Sequence, residues 1–311
     1  MLVPERISWW RLVFKYRGTE LPRTKYRLLS VAVVSTFVTF LEEQHDWHPD
    51  LTPLPFQLIG VALGIFLGFQ NNAAYDRWWE GRKLWGSLVN TSRSMARQVL
   101  TLVGPTEGPE AEEAAALRDV LVRRIIAFAH ALRLSLRDDD DLTDLERFLD
   151  ADEVRRLKSE SNRPFAINQG TAERLRAAWK RGWIDTFHLP VLEASMVSMT
   201  DVQGACERIK GTPIPFSYKT LIHRITALYC YTFPFGLVDL VHIFTPLVCV
   251  IVAYALFGLD AVGDEIEMPF GTDPNDLPLH AISTTIEVNL RQRLGDTDLP
   301  PMRKAVGEIL D

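Results

Sequence analysis

Cysteine is scarce and badly spaced: Cys206, Cys230 and Cys249 are the three present. An odd count with no CxxC pair excludes a disulfide framework and the common metal-ligand spacings, so they read as reduced thiols in apolar surroundings. Excess positive charge is also missing. A net charge of −6 argues against a dedicated nucleic-acid binder. No P-loop, GxGxxG, HExxH, GxSxG or kinase motif occurs, so the sequence offers no catalytic constellation and calls for no cofactor. The N-terminus has no uninterrupted apolar stretch followed by a small-residue cleavage site, and no removable signal peptide is expected. No segment alternates as a strand does.

Charge itself is absent from two long stretches. Residues 51–75 carry none over 25 positions, and 240–259 carry none over 20. Either is long enough for a hydrocarbon core of about 30 Å, which takes ~20 helical residues. Two apolar runs of 14 residues, 28–41 and 225–238, precede them. Alone each is short for a span, but the short polar links make each pair a membrane hairpin, with first-hairpin spans at about 28–44 and 51–75. The first 28 residues hold seven Lys/Arg, and Arg77, Arg82, Lys83, Arg208, Lys210, Lys219 and Arg224 flank the other inner ends. The link 42–53 holds no Lys/Arg but has Glu42, Glu43, Asp46 and Asp50. The positive-inside bias puts both termini and the middle of the chain in the cytoplasm of a cell (inner) membrane protein.

The expected architecture is therefore all-α, with membrane helices continuous with a cytoplasmic helical bundle. Its parts are an N-terminal segment and first hairpin (1–75), a cytoplasmic domain (76–218), a second hairpin (219–260) and a cytoplasmic tail segment (261–311). Within the bundle, 117–137 carries Leu117, Val120, Leu121, Ile125, Phe128 and Leu132 on one helical stripe. The run Asp138–Asp141 reads as wet surface ahead of a helix, with a metal site as the competing reading. "SNRPFAINQG" reads as a loop before a helix near 171–183.

Two ladders share the second span. Gly60, Gly64 and Gly68 recur every four residues, and Val61, Ile65 and Phe69 follow one position later. At about 100° per residue they lie on neighbouring faces. The glycines allow close helix approach. Asn72 and Asp76 continue the larger row within about a right angle of it. Asp76 faces either the same way or toward Arg77 or Lys83. Trp78, Trp79 and Trp85 among basic residues suit an inner membrane interface. His45 and His48 form an HxxH that is incidental unless a metal sits there.

"FLGFQNNAAYDRWWEGRKLWG" (66–86), "GACERIKGTPIPFSYKTLIHR" (204–224) and "EIEMPFGTDPNDLPL" (265–279) resemble the signature blocks of the bestrophin ion channels, particularly the bacterial branch. The resemblance implies a homopentamer with a central pore and four membrane helices per subunit, lined by the second. Its partners would be copies of itself, the bilayer and the permeant monovalent ions. It places an apolar neck at Val61, Ile65 and Phe69, leaving the glycine ladder to pack against adjacent helices. It places a cytoplasmic aperture at Phe187, with Ile184 and Val191 as alternatives a turn away. Eukaryotic members bind calcium at a belt whose acidic positions match Asp273 and Asp276. Met268 stands where that belt offers an oxygen, so no tight calcium site is expected. The acids could equally serve turn chemistry. An acidic outer link and an Asp76 ring lead to an expected preference for monovalent cations, with chloride-like anions as the alternative.

Overall fold

The computed structural model describes all residues except 2–7, 17, 46–50 and 306–309. The described residues are helical with no strand. In chain order the helices are α1 (Trp9–Val13), α2 (Leu21–His45), α3 (Leu54–Leu102), α4 (Ala111–Leu136), α5 (Ala151–Leu157), α6 (Arg163–Lys180), α7 (Leu189–Gly211), α8 (Phe216–Val241), α9 (Thr245–Ile266) and α10 (Leu279–Leu294). The chain divides into two compact units. One comprises Pro4–Trp78 and Pro213–Pro269; the other comprises Met1–Val3, Trp79–Thr212 and Phe270–Asp311. The 49-residue α3 contributes to both.

The first unit holds the stretches long and apolar enough to cross a membrane: Leu21–His45, the first part of Leu54–Leu102, and Phe216–Ile266. The last is broken at His242, whose φ of 45° ends α8 before α9 begins. Helices α8 and α9 run antiparallel, because Lys219 at the start of α8 pairs at 2.8 Å with Glu267 just past the end of α9. Val31, Leu63, Leu67, Ile222, Tyr229, Cys230, Cys249, Ala253 and Phe257 form the core. In lipid such a core gains little from the hydrophobic effect, and close backbone approach does more. At Gly60 an added Cβ would fall 2.7 Å from Tyr229 Oη, and at Gly236 2.2 Å from the Phe56 ring. No larger residue fits at either place without moving its neighbour.

Charges gather at one end of this unit. Asp260, 1% exposed, accepts from His223 Nδ1 at 2.7 Å and Arg27 at 3.4 Å. Lys219 reaches Asp264 at 2.9 Å, and Arg23 reaches Glu265 at 3.2 Å. At the other end Glu42 is buried and accepts from His242 Nδ1 at 2.7 Å.

The second unit is a helical bundle with α4 at its centre. From Leu121 to Leu136 this helix is buried almost all round. The one-sided stripe expected from sequence is therefore too narrow, and Val120, assigned to it, is 40% exposed. Polar residues off that stripe are buried against acids: Arg124 with Glu153, His130 with Glu287, and Arg133 with the half-buried Asp144. The stretch "SNRPFAINQG" is helix rather than loop. Asn162 caps α6 by accepting from Phe165 N at 3.1 Å, and Pro164 fits the first turn, where no N–H is needed. All three cysteines are free and buried. In this unit burial pushes the Cys206 thiol up to about 12, far from any reactive thiolate.

Candidate functional site: the exposed row of α3

Helix α3 presents two contrasting faces within the first unit. Leu63 and Leu67 are 2% and 0% exposed and enter the core, and Gln70 and Ala74 continue that buried face. Val61, Ile65 and Phe69 point away from it, at 67%, 53% and 61% exposed. Asn72 and Asp76 are exposed on the same side. So the three apolar side chains are not core residues of this chain. Asp76 pairs with neither Arg77 nor Lys83 among the described residues. Arg77 turns away instead, its Nε donating to the Glu267 carbonyl at 3.0 Å.

The glycine ladder divides. Gly60 packs on Tyr229, whereas a Cβ at Gly64 or Gly68 would meet nothing within 4 Å. Within one chain the last two glycines face open space.

In the second unit, Phe187 sits in the turn before α7 at 85% exposure, its N donating to Asp185 Oδ1 at 2.7 Å. Ile184 is buried at 3%, which removes it from any lining surface, and Val191 is 42% exposed. Trp85 is fully buried. It is a core residue of the bundle rather than an interface anchor.

The two candidate calcium ligands behave differently from one another. Asp273 is exposed, and Asp276 is 3% exposed. Asp276 Oδ2 accepts from Asp273 N at 2.8 Å, and Asp276 N donates back to Asp273 O at 3.0 Å. This is turn chemistry. Oδ2 of this buried carboxylate is thus taken by its own backbone, whereas calcium takes six to eight oxygens. The Asp138–Asp141 run is likewise structural. Asp141 accepts from Thr143 N at 3.0 Å, Asp140 pairs with Arg163 at 2.6 Å, and Asp138 with Lys210 at 2.5 Å. Of the HxxH, His48 lies outside the described residues, as do Asp46 and Asp50.

Sequence reasoning missed two features. Glu267 is 4% exposed, and its carboxylate accepts from Ile214 N at 2.9 Å and Lys219 Nζ at 2.8 Å. It fastens the entry of α8 to the exit of α9. The signal was present as the central acid of "EIEMPF". The second is the trio His223, Asp260 and Asp264, whose candidate ligand atoms lie within 4.8 Å of one another. Arg27 and Lys219 already supply its countercharge, so it reads as an ion network closing the helix ends.

An all-helical protein with membrane-length helices, one of which carries an outward apolar row, defines a class. The sequence profile of the "Bacterial/Fungal Bestrophin protein" family matches residues 1–292. The chain belongs to the bestrophin family. A protein of Ralstonia nicotianae named a voltage-dependent anion channel-forming protein is 40% identical over 314 residues, covering 100% of each chain. A protein of Escherichia coli (strain K12) with the same description is 36% identical over 304 residues, 96% of each. The crystal structure of a bacterial bestrophin homologue from Klebsiella pneumoniae superposes with a TM-score of 0.79 at 33% identity, covering 89% of this chain and 99% of that one.

Proposed function

We propose that this chain is the pore-forming subunit of a homopentameric membrane ion channel and not an enzyme. The observation that carries the reading is the outward row Val61, Ile65 and Phe69, exposed at half or more on the helix whose opposite face holds Leu63 and Leu67 in the core. In a ring of subunits this row forms the neck. An ion entering an apolar neck sheds water without polar replacement, so the neck gates by dewetting. The membrane helices are α2, the first part of α3, α8 and α9. Gly64 and Gly68, open within one chain, pack against a neighbouring subunit. Phe187, too exposed for a core aromatic, lines the cytoplasmic aperture. The basic residues at one end of the membrane unit, Arg23, Arg27 and Lys219, support an inner membrane location with both termini cytoplasmic.

The permeant ion is a monovalent anion in the reading the relatives' names favour. The expectation of cations loses part of its basis. Of the four outer acids, Glu42 is buried against His242 rather than lining a mouth. Cations remain the second reading because Asp76 stands exposed on the neck side of α3, and acidic rings favour them. Planar-bilayer recording of purified protein in a NaCl gradient tests both. Reversal near the chloride equilibrium potential supports the anion reading, and reversal near sodium supports the cation reading. Absence of single-channel current overturns the channel itself.

A further inference from the structure

The second unit contains a cavity of about 870 Å³ beside α4 and α10, bordered by residues 300–304. It is large enough for a small metabolite. His130 forms part of its wall. The ring is 1% exposed, lies stacked on Phe148 with centroids 5.7 Å apart, and places Nε2 3.1 Å from Glu287 Oε2. An ionised carboxylate only accepts, so Nε2 carries the proton. Burial pushes the His130 imidazole below its usual range, in keeping with a neutral ring. Nδ1 is therefore a bare lone pair. It is buried and has no partner in the protein. A buried acceptor of this kind is costly unless something supplies a donor.

The charged groups around the cavity do not balance. Each acid on the wall is already paired: Arg133 and Arg147 hold Asp144 at 2.6 and 3.2 Å, Arg147 and Arg291 hold Glu287 at 3.0 and 3.1 Å, and Arg137 holds Asp311 at 2.6 Å. Arg303 and Lys304 stand on the same wall with no carboxylate partner among the described residues. Arg303 donates to His280 Nε2 at 2.7 Å, a neutral acceptor. Burial and the Arg133 and Arg303 charges push His280 down to about 4. The wall thus offers two cations without a carboxylate partner and one buried acceptor that wants a proton.

We propose that this cavity binds a tetrahedral oxyanion that carries a hydrogen-bond donor: hydrogen phosphate, or a small phosphate ester with a hydroxyl. The anionic oxygens accept from Arg303 and Lys304, and the O–H donates to His130 Nδ1. Sulfate has the same shape and charge but no proton at neutral pH, so one of its oxygens would face the lone pair.

Isothermal titration calorimetry of the purified full-length protein in detergent at pH 7.5, with inorganic phosphate, sulfate and glycerol 3-phosphate, tests this. Inorganic phosphate is expected to bind saturably, once per chain, at least about tenfold tighter than sulfate. The double variant R303Q/K304Q, altering exposed side chains only, is expected to weaken phosphate at least about tenfold. Glycerol 3-phosphate binding tighter than inorganic phosphate identifies an ester as the ligand, and the reverse order identifies free phosphate; both support the site. Equal binding of sulfate and phosphate overturns the role of His130. No saturable binding at millimolar concentration, or binding untouched by R303Q/K304Q, overturns the proposal.

Discussion

Inside the bundle, one nitrogen of the Arg124 guanidinium donates to both oxygens of Glu153, at 2.7 and 2.6 Å, with Arg124 1% exposed. Its other nitrogens donate to Thr171 Oγ1 at 2.9 Å and the Ile167 carbonyl at 2.7 Å. Burial alone would push the Glu153 carboxyl up, but the Arg124 contact and the neighbouring Arg174 and Arg156 charges bring it below its usual range. The arginine thus ties α4 to α6 and to α5 at once.

Arg124→Met is expected to cost about 3–5 kcal/mol, because it strands a buried carboxylate. The double variant R124M/E153L is expected to recover most of that loss, since it removes both charges together. Thermal unfolding of the three proteins checks this. A single variant as stable as the parent would show that the pair is not buried as described.

The same pair marks where sequence reading stops. The membrane-length apolar helices were legible because a charge-free stretch has few readings other than lipid. The row Val61, Ile65 and Phe69 was legible from its spacing, and its outward direction is consistent with the proposed neck. The centre of the bundle was not legible. Arg124, His130 and Arg133 lie off the apolar stripe, and a sequence does not display the distant Glu153, Glu287 and Asp144 that pair with them. Asn162 and Pro164 were misread for a local reason: the same residue types serve loops and helix starts.

Acid sensitivity follows from the histidines. The unfolded value of His280 is about 6.5, and its folded value is about 4. As pH falls from about 6.5 toward 4, the unfolded chain gains a proton that the native state refuses, so stability falls with pH. His130, also lowered by burial, adds in the same direction. The lowered carboxylates Asp144, Glu153 and Glu287 act mainly below about 4.5. The melting temperature is therefore expected to drop between pH 6.5 and 5, and His280→Asn to flatten that slope. An unchanged slope in the variant would remove His280 as its origin.

The two halves of the glycine ladder are expected to fail differently. Gly60→Leu drives a side chain into Tyr229, where even a Cβ comes within 2.7 Å of Oη, and should destabilise the subunit itself. At Gly64 an added Cβ meets nothing within 4 Å of its own chain, so Gly64→Leu should leave the subunit folded while the oligomer weakens. Light scattering of each detergent-solubilised variant, beside its thermal unfolding, separates the two. Normal oligomers of Gly64→Leu would mean that this glycine faces lipid or the pore rather than a neighbour.

Replacing the neck row tests the pore directly. The triple variant V61A/I65A/F69A enlarges any ring these residues form and lowers the cost of wetting it, so single-channel conductance or open probability is expected to rise. The core face of α3, Leu63 and Leu67, is untouched, so folding should survive. Unchanged currents would place the constriction elsewhere.

The selectivity test turns on Asp76. It is exposed on the same side of α3 as Val61, Ile65 and Phe69 and has no ion-pair partner among the described residues. A ring of its carboxylates below the neck would attract cations and repel anions over a screening length of about 8 Å at physiological salt. Neutralising it must then move the reversal potential in a NaCl gradient toward the chloride value, whichever ion the parent prefers. Asp76→Lys should move it further than Asp76→Asn, because it reverses the charge of the ring. If the parent already reverses near chloride, the shift is small and anion conductance should rise instead, since the repelling ring is gone. If the parent reverses near sodium, the shift is large and cation current falls. The side chain's position and the ion preference are thus read in one series: a reversal potential and conductance that ignore both substitutions would mean that Asp76 does not face the ion path.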